Sequence, residues 1–377
     1  MQAPDLFSYL EQVNKPILFY GMGDGADKAL QICREHGIEV RGFFASDAFV
    51  RGQTFHGLPV LTLSRAEELY PDMLVLVTFA SSLPEVMDAI RNVGKKHEIY
   101  IPDIPVFGDT CWSAEYEREH VPEIQKLRSL LYDETSRTLL DSLLAFRRFG
   151  RLEDLDATAS VPDAPFWGLL HPHTWRAIAD GGAWRGDTAS LLLDAAPGAS
   201  DLYCFEPDRH SFARLEAYAA LETRARVHPI RAALWKDRGE LVFDAGKGGS
   251  RNACAVDMLH PLVRQRVRKT ESVPAVSLDS FFSEHPDLPL PDLIKLDVEG
   301  AEKETLAGGA NILKKARPEL LISLYHHTSD LFEIPLMLDA LLPRYLFHLR
   351  RSPYIPAWDL VLLASPEEKT HDENRKV

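Results

Sequence analysis

The stretch that decides the fold is RAIADGGAWRGDT, residues 176–188. It begins with a short apolar run that ends in Asp180, which is typical of a buried strand. Glycines follow at positions 181, 182 and 186, and Asp187 or Thr188 can then cap a helix. A strand, a glycine-rich turn and a helix in this order predict a Rossmann-like α/β sheet with a ligand site at the turn.

The acid at the head of this turn indicates which ligand it would meet. A carboxylate repels phosphate but pairs with an ammonium group, so Asp180 suits the amino acid end of S-adenosylmethionine better than a dinucleotide. Glu206 ends the next predicted strand, YCFEP, 24 residues after Gly182, close to where Rossmann-type sheets place an acid on ribose hydroxyls. The predicted cofactor-binding residues are Asp180, Gly181, Gly182, Ala183, Gly186, Asp187, Thr188, Glu206 and Ala233.

A second group of acids follows the strand in DLIKLDVEGAE, residues 292–302. Asp297, Glu299 and Glu302 would favour a helix N-terminus, but three acids are more than capping needs. His326 comes just after another predicted strand, and ligands bind at the carboxyl edge of such sheets. We therefore predict Asp297, Glu299 and His326 as catalytic residues. A divalent cation held by the acids and the histidine is a less favoured alternative, so no metal is predicted.

Upstream, the chain divides into two further parts. Residues 15–110 alternate apolar runs such as PILFY and DMLVLV with helical stretches, which predicts a smaller Rossmann-like α/β domain over 1–112. Residues 113–165 form a predicted helical connector with apolar residues at helical spacing. These residues are Val121, Ile124, Leu127, Leu131, Leu139, Leu140, Leu143 and Leu144. The main α/β domain is predicted over 166–377.

The smaller domain has its own glycine-rich turn. Gly21, Gly23 and Ala26 form G-x-G-x-x-A directly after a predicted strand, which is the context of a dinucleotide site, and Asp47 could hold a ribose. Asp24 inside the turn would repel a pyrophosphate, which favours a purely structural turn. The pattern GFFASD followed by GQTFHGLPVL resembles the nucleotide-sugar-binding domain of some sugar acyltransferases. An NAD or nucleotide-sugar enzyme, or a binding module, is therefore the alternative function.

Composition limits the partners. The chain has 377 residues, a length typical of two domains, and Lys plus Arg number 42 against 56 for Asp plus Glu, a net charge of −14. This balance disfavours nucleic acid and anionic membranes and favours a small or uncharged substrate. The cysteines, Cys33, Cys111, Cys204 and Cys254, form no CxxC pair, and no apolar run is long enough to span a bilayer. A cytoplasmic protein without membrane insertion is expected, and a homo-oligomer stays open.

Several motifs together resemble the FkbM family of S-adenosylmethionine-dependent methyltransferases, over roughly residues 113–365. The motifs are DGGAWRGDT, YCFEPD, PAVSLDSFF, IKLDVEGAEKETLAGG, ISLYHHTSDLFEIP and FHLRR. The helical segment RSLLYDETSRTLLDSLLAFR is similar to the one that precedes the catalytic domain in this family. Trp184 and Arg185 depart from the usual pattern, in which Tyr or Phe and an acid are more common.

The resemblance implies a seven-stranded methyltransferase fold that ends in a reversed hairpin, here YLFHLR and WDLVLLA. It also implies O-methylation of a hydroxyl on a sugar, glycan or secondary metabolite. In our interpretation, the 180–188 turn holds the methionine part, Glu206 the ribose, and the backbone beyond Ala232 the adenine. Asp297 and Glu299 would face the reacting centre, with His326 as general base and Arg350 or Arg351 as an orienting group.

Overall fold

The N-terminal part of the chain folds as a sheet with helices between its strands. The structure, a computed structural model, describes residues 3–108, 110–158, 166–244, 255 and 270–369. The first sheet contains β1 (Ile17–Tyr20), β2 (Val40–Ala45), β3 (Thr54–Phe55), β4 (Leu58–Thr62), β5 (Leu74–Val77) and β6 (Glu98–Tyr100). Its helices are α1 (Leu6–Leu10), α2 (Asp24–Glu35), α3 (Leu63–Leu69) and α4 (Pro84–Gly94). The strand order is β3-β4-β2-β1-β5-β6, parallel except for the β3–β4 hairpin.

The glycine-rich turn between β1 and α2 is tightly packed. Gly21 has φ +121°, and a Cβ atom there would lie 2.7 Å from the ring of Phe79. A Cβ atom at Gly25 would lie 2.4 Å from the carbonyl oxygen of Thr78. Glycine at these positions therefore lets α2 approach the chain that follows β5. This close packing supports the structural interpretation of the turn, while nucleotide binding here stays a prediction.

The connector folds as four helices, α5 (Ala114–Glu119), α6 (Val121–Leu130), α7 (Glu134–Phe149) and α8 (Leu152–Ala157). The helix α7 buries one apolar stripe, as its helical spacing predicts. The buried apolar side chains of this stripe are Leu139, Leu140, Leu143 and Phe146. The first turn of α7 packs on the last strand pair of the chain, because Asp133 accepts hydrogen bonds from Ser136 N and Arg350 Nη2, both at 2.7 Å.

Replacing Asp133 with alanine should lower the free energy of unfolding by about 1–3 kcal/mol, because the helix cap and the bond to Arg350 are lost together. Urea denaturation measures the change. Asp141→Ala is the matched control, since Asp141 also lies on α7 and its ion pair with Arg128 of α6 is exposed. Its loss should cost at most about 1 kcal/mol. Equal effects of the two substitutions would contradict the role given to Asp133.

The second sheet has seven strands in the order β15-β16-β14-β13-β7-β8-β9. Its members are β7 (Ala177–Gly181), β8 (Asp201–Phe205), β9 (Arg226–Ile230), β13 (Leu293–Leu296), β14 (Glu319–Ser323), β15 (Tyr345–Arg351) and β16 (Leu360–Pro366). Its helices are α9 (Asp187–Ala195), α10 (Arg209–Leu221), α11 (Leu278–Glu284), α12 (Glu302–Ala307), α13 (Ala310–Ala316) and α14 (Asp330–Leu341). The alternation of strands and helices confirms the predicted α/β class. The strand β16 runs antiparallel to β14 and β15, which confirms the reversed hairpin.

A third, small sheet was not predicted. It contains β10 (Ala233–Leu234), β11 (Gly239–Asp244) and β12 (Thr270–Val276) in the order β10-β12-β11. Within the described ranges, no helix is both long and apolar enough to cross a membrane. The residues 159–165, the tail from 370 onward and Cys254 lie outside the described residues. The predicted domain boundaries remain a prediction.

Candidate active site

A cavity of about 300 Å³ opens where the carboxyl ends of β7, β8, β13 and β14 meet. Both large parts of the chain contribute to its wall, since Val106 comes from the segment after the first sheet. The predicted residues that line it are Gly182, Asp187, Thr188, Glu206, Ala233, Asp297 and Glu299. The edge of the sheet that the sequence predicted as the ligand site is therefore the edge that holds the cavity.

The turn after β7 packs tightly against the loop after β13. Gly182 has φ +74°, and a Cβ atom there would lie 1.9 Å from the carbonyl oxygen of Asp297. Gly186 has φ +91° and packs against the ring of Tyr218. Only glycine fits at both places, because a side chain would clash and the backbone is left-handed. Gly181 and Ala183 are buried beneath this turn.

Asp180 does not line the cavity, and its predicted contact with a ligand stays a prediction. Its side chain is completely buried, and Oδ1 lies 3.0 Å from Nζ of Lys295, its register partner on β13. Lys295 also donates to the carbonyl oxygens of Gly181 and Gly182, both at 3.1 Å. Burial alone would lower the pKa of Lys295, but the carboxylates of Asp180 and Asp297 raise it. The buried ion pair of Asp180 and Lys295 therefore holds the backbone of the glycine-rich turn in place.

Glu206 lies at the end of β8, with 6% of its surface exposed toward the cavity. Its two carboxylate oxygens accept hydrogen bonds from the backbone N–H groups of Trp184 at 2.9 Å and Asp208 at 2.8 Å. Burial raises the pKa of Glu206 to about 7. A carboxylate has room for about four hydrogen bonds, so Glu206 can still accept from a ligand hydroxyl.

The loop from Asp297 to Ala301 presents two carboxylates to the cavity, those of Asp297 and Glu299. Glu299 has φ +55°, a left-handed conformation that is uncommon for a residue with a side chain. Glu302 stabilises the loop by accepting a hydrogen bond from Val298 N at 2.8 Å. Such local strain persists where surrounding contacts enforce it, and here it turns the Glu299 side chain into the cavity.

His326 lies behind these carboxylates and is completely buried. Its Nε2 atom lies 3.6 Å from both Asp297 Oδ1 and Glu299 Oε2, and its Nδ1 atom lies 3.0 Å from Glu302 Oε1. Burial lowers the pKa of His326, but the three carboxylates raise it to about 10. This environment favours the protonated imidazole and keeps it away from the cavity, so the role of His326 as general base stays a prediction.

Glu299 reaches the cavity, whereas His326 does not. Its side chain is about a quarter exposed, at 28%, and lines the cavity. Burial raises the pKa of Glu299 to about 8, although the nearby His326 charge lowers it. A general base works best when its pKa lies near the working pH, and this carboxylate has both the access and the pKa for such a role.

The same cluster contains a possible ligand set for a cation. Asp297, Glu302 and His326 each place one ligand atom within 4.8 Å of the others. A metal ion binds one nitrogen of an imidazole ring. Here the two ring nitrogens face different carboxylates. A metal-ligating histidine usually donates its other ring N–H to a carboxylate, so this arrangement fits a metal ligand as well as a protonated histidine.

The two arginines that the sequence suggests as orienting groups are held by other parts of the protein. Arg350 binds Asp133, and Arg351 Nη2 donates to the carbonyl oxygen of Leu155 at 3.0 Å. Arg351 Nη1 donates to the carbonyl oxygen of Tyr354 in the hairpin loop at 2.8 Å. Neither arginine lines the cavity.

Sequence reasoning missed the aromatic residues that line the cavity. Tyr325 lies two residues after the end of β14, and Tyr354 and Trp358 lie in the loop of the reversed hairpin. These residues could have been found in the sequence from their position just beyond the ends of predicted strands. A second cavity, of about 590 Å³, lies beside the first and shares Trp235 with it, while Glu304 lines only the second.

Known proteins resemble this chain in sequence and in fold. The family described as Methyltransferase FkbM domain matches residues 180–349. The 2-O-methyltransferase NoeI of Sinorhizobium fredii (strain NBRC 101917 / NGR234) is 30% identical over 175 residues, which cover 44% of this chain and 69% of that protein.

The crystal structure of the methyltransferase FkbM from Methylobacillus flagellatus KT has the same fold. It superimposes with a TM-score of 0.66 at 20% identity and covers 93% of this chain and 90% of that one. At this coverage the similarity includes the first sheet and the connector as well as the seven-stranded sheet.

Proposed function

The chain belongs to the FkbM family of methyltransferases, and from this premise we propose that it transfers the methyl group of S-adenosylmethionine to a hydroxyl of a sugar, glycan or secondary metabolite. The observation that carries the proposal is the pairing, in one cavity, of Glu206 at the end of β8 with Glu299 at the end of β13. The first would bind a ribose, and the second would accept a proton. The relative NoeI is named a 2-O-methyltransferase, which supports an oxygen acceptor.

The residues that line the cavity fit this cofactor. Glu206 would accept hydrogen bonds from the ribose hydroxyls, and the backbone at Ala233 would contact the adenine. The turn from Gly182 to Thr188 would surround the methionine part, since Gly182, Asp187 and Thr188 line the cavity. Acidic lining suits a cofactor that carries a sulfonium charge. When bound, S-adenosylmethionine supplies an activated methyl group.

The residues of the chain then handle the acceptor. Glu299 would take the proton that the acceptor hydroxyl loses, because it faces the cavity and has a pKa of about 8. Asp297 is held in place by the Tyr325 hydroxyl, which donates to its Oδ1 at 3.0 Å. Positioning of the acceptor supplies much of the rate in a displacement of this kind.

Calorimetric titration with S-adenosylhomocysteine tests the proposal. We expect micromolar binding by the full chain, and a Kd about 10- to 100-fold higher for Glu206→Ala, because hydrogen bonds to a charged group are lost. Asp201→Asn is the matched control, since Asp201 lies at the opposite end of the same strand and bonds to His228. The Kd of the Asp201→Asn variant for S-adenosylhomocysteine should not change.

Titration with NAD in parallel tests the alternative. An NAD or nucleotide-sugar enzyme would use the turn at Gly21 to Ala26. Binding of NAD without binding of S-adenosylhomocysteine would contradict the proposed function and assign the site to the N-terminal sheet.

A further inference from the structure

Three aromatic side chains line the cavity with their ring planes nearly parallel, and we call Tyr325, Trp358 and Tyr354 the aromatic row. The ring centres of Tyr325 and Trp358 are 6.4 Å apart with 23° between their planes. Those of Trp358 and Tyr354 are 5.8 Å apart with 29° between their planes. All three side chains line the cavity and are only partly buried. The row therefore presents aromatic surface to whatever enters.

The inner end of the row adjoins the acidic group. The hydroxyl of Tyr325 donates to Asp297, and its ring centre lies 4.2 Å from that of His326. His326 in turn contacts Glu299. A molecule lying against the row would thus have its inner edge near the proposed proton acceptor.

The outer end of the row is held by the N-terminal part of the chain. Ser81, which follows β5, exchanges two backbone hydrogen bonds with Ile355, each of 2.8 Å. Ile355 is completely buried, and Arg351 Nη1 donates to the carbonyl oxygen of Tyr354 at 2.8 Å. Rigid aromatic surface binds at a smaller entropic cost than mobile side chains. The hairpin loop is therefore preorganised for binding.

Resting on the proposed function, we propose that the aromatic row is the acceptor site and binds a pyranose ring by one of its C–H faces. A pyranose has flat apolar faces and hydroxyl groups around its edge. Stacking on Trp358 buries a C–H face against an aromatic ring, which is the apolar part of such a site. The hydroxyl at the inner edge then points toward Glu299, which selects the atom that is methylated.

The test uses the full chain, with S-adenosylmethionine as donor and methyl glycosides of glucose, galactose, mannose, rhamnose, fucose and N-acetylglucosamine as probes, and with catechol as a flat aromatic competitor. We expect methylation of at least one glycoside. For that glycoside, Trp358→Ala should raise KM about tenfold or more, while the Kd for S-adenosylhomocysteine stays unchanged. Trp358→Phe should restore most of the lost affinity.

Tyr132→Ala is the matched control, because Tyr132 is an exposed aromatic residue of the connector. Its KM should equal that of the unchanged protein. Methylation of catechol alone, of no glycoside, or an unchanged KM in Trp358→Ala would overturn the acceptor site. If the unchanged protein fails to bind S-adenosylhomocysteine, the proposed function itself fails, so the two failures are distinguishable. A cooperative thermal transition shows that each variant is folded.

Discussion

Replacing Glu299 with glutamine should lower kcat/KM for methyl transfer by about 10²- to 10⁴-fold, the usual contribution of a positioned general base. Glutamine keeps the size of the side chain but cannot accept the proton of the acceptor hydroxyl. The Kd for S-adenosylhomocysteine should change little, because Glu206 and the turn at Gly182 are untouched. Initial rates with a methylated acceptor and calorimetry with S-adenosylhomocysteine measure the two effects separately.

The pH dependence follows from the same residue. A general base acts in its deprotonated form, and burial raises the pKa of Glu299 to about 8. We therefore expect kcat/KM to rise with pH through about pH 8 and then to level off. In Glu299→Gln this rise should disappear from the residual activity.

Glu304→Gln is the control for both experiments, since this carboxylate lies five residues further on and lines the second cavity. It should keep the rate and the pH profile of the unchanged protein. Full activity in Glu299→Gln would show that another group, or water, accepts the proton.

The second large effect is expected at Asp180. Asp180→Ala should lower the free energy of unfolding by about 3–5 kcal/mol, because it leaves the Lys295 ammonium buried without its carboxylate partner. The side chains of this pair are only 0% and 7% exposed, so water cannot replace the lost contact. Urea denaturation measures the loss. We also expect weaker binding of S-adenosylhomocysteine, because Lys295 holds the carbonyl groups of the turn.

A double substitution separates charge from packing. Asp180→Leu together with Lys295→Met removes both charges and should recover much of the stability, while the weakened binding should persist. Glu333→Ala is the control, since its pair with Lys303 is about half exposed. Its loss should cost at most about 1 kcal/mol. If Asp180→Ala lowered the free energy of unfolding by no more than Glu333→Ala does, the stabilising role given to the buried pair would be contradicted.

Much of the fold was predictable because its signals are local. The apolar run before Gly181 and the polar start of the next helix lie within a few residues of each other, and they predicted a strand, a turn and a helix that the structure contains. The predicted cap at Asp187 or Thr188 is wrong, since the N-cap is Gly186 and no side chain caps the helix. The same holds for the hairpin strands YLFHLR and WDLVLLA. Parallel strands of one sheet must bring their carboxyl ends to one edge, so the position of the cavity could also be predicted.

The roles of individual side chains were not predictable in this way. The sequence places Asp180 at the end of a strand but does not show that Lys295 lies opposite it in the register of β7 and β13. His326 has the residue type of a base, yet its protonation depends on three carboxylates from another segment. Neither environment could be predicted, because burial and charge partners are properties of the packed molecule.

The sequence by itself thus determined the α/β class, the reversed hairpin and the edge of the sheet at which ligands bind, because hydrophobic periodicity and turn residues act over short distances. Only the tertiary structure decided which carboxylate reaches the cavity and which is buried beneath it. It also brought together Trp358 and Tyr325, two residues that lie 33 positions apart in the chain. Such contacts depend on how strands pair and loops pack, and no local pattern in the chain records them.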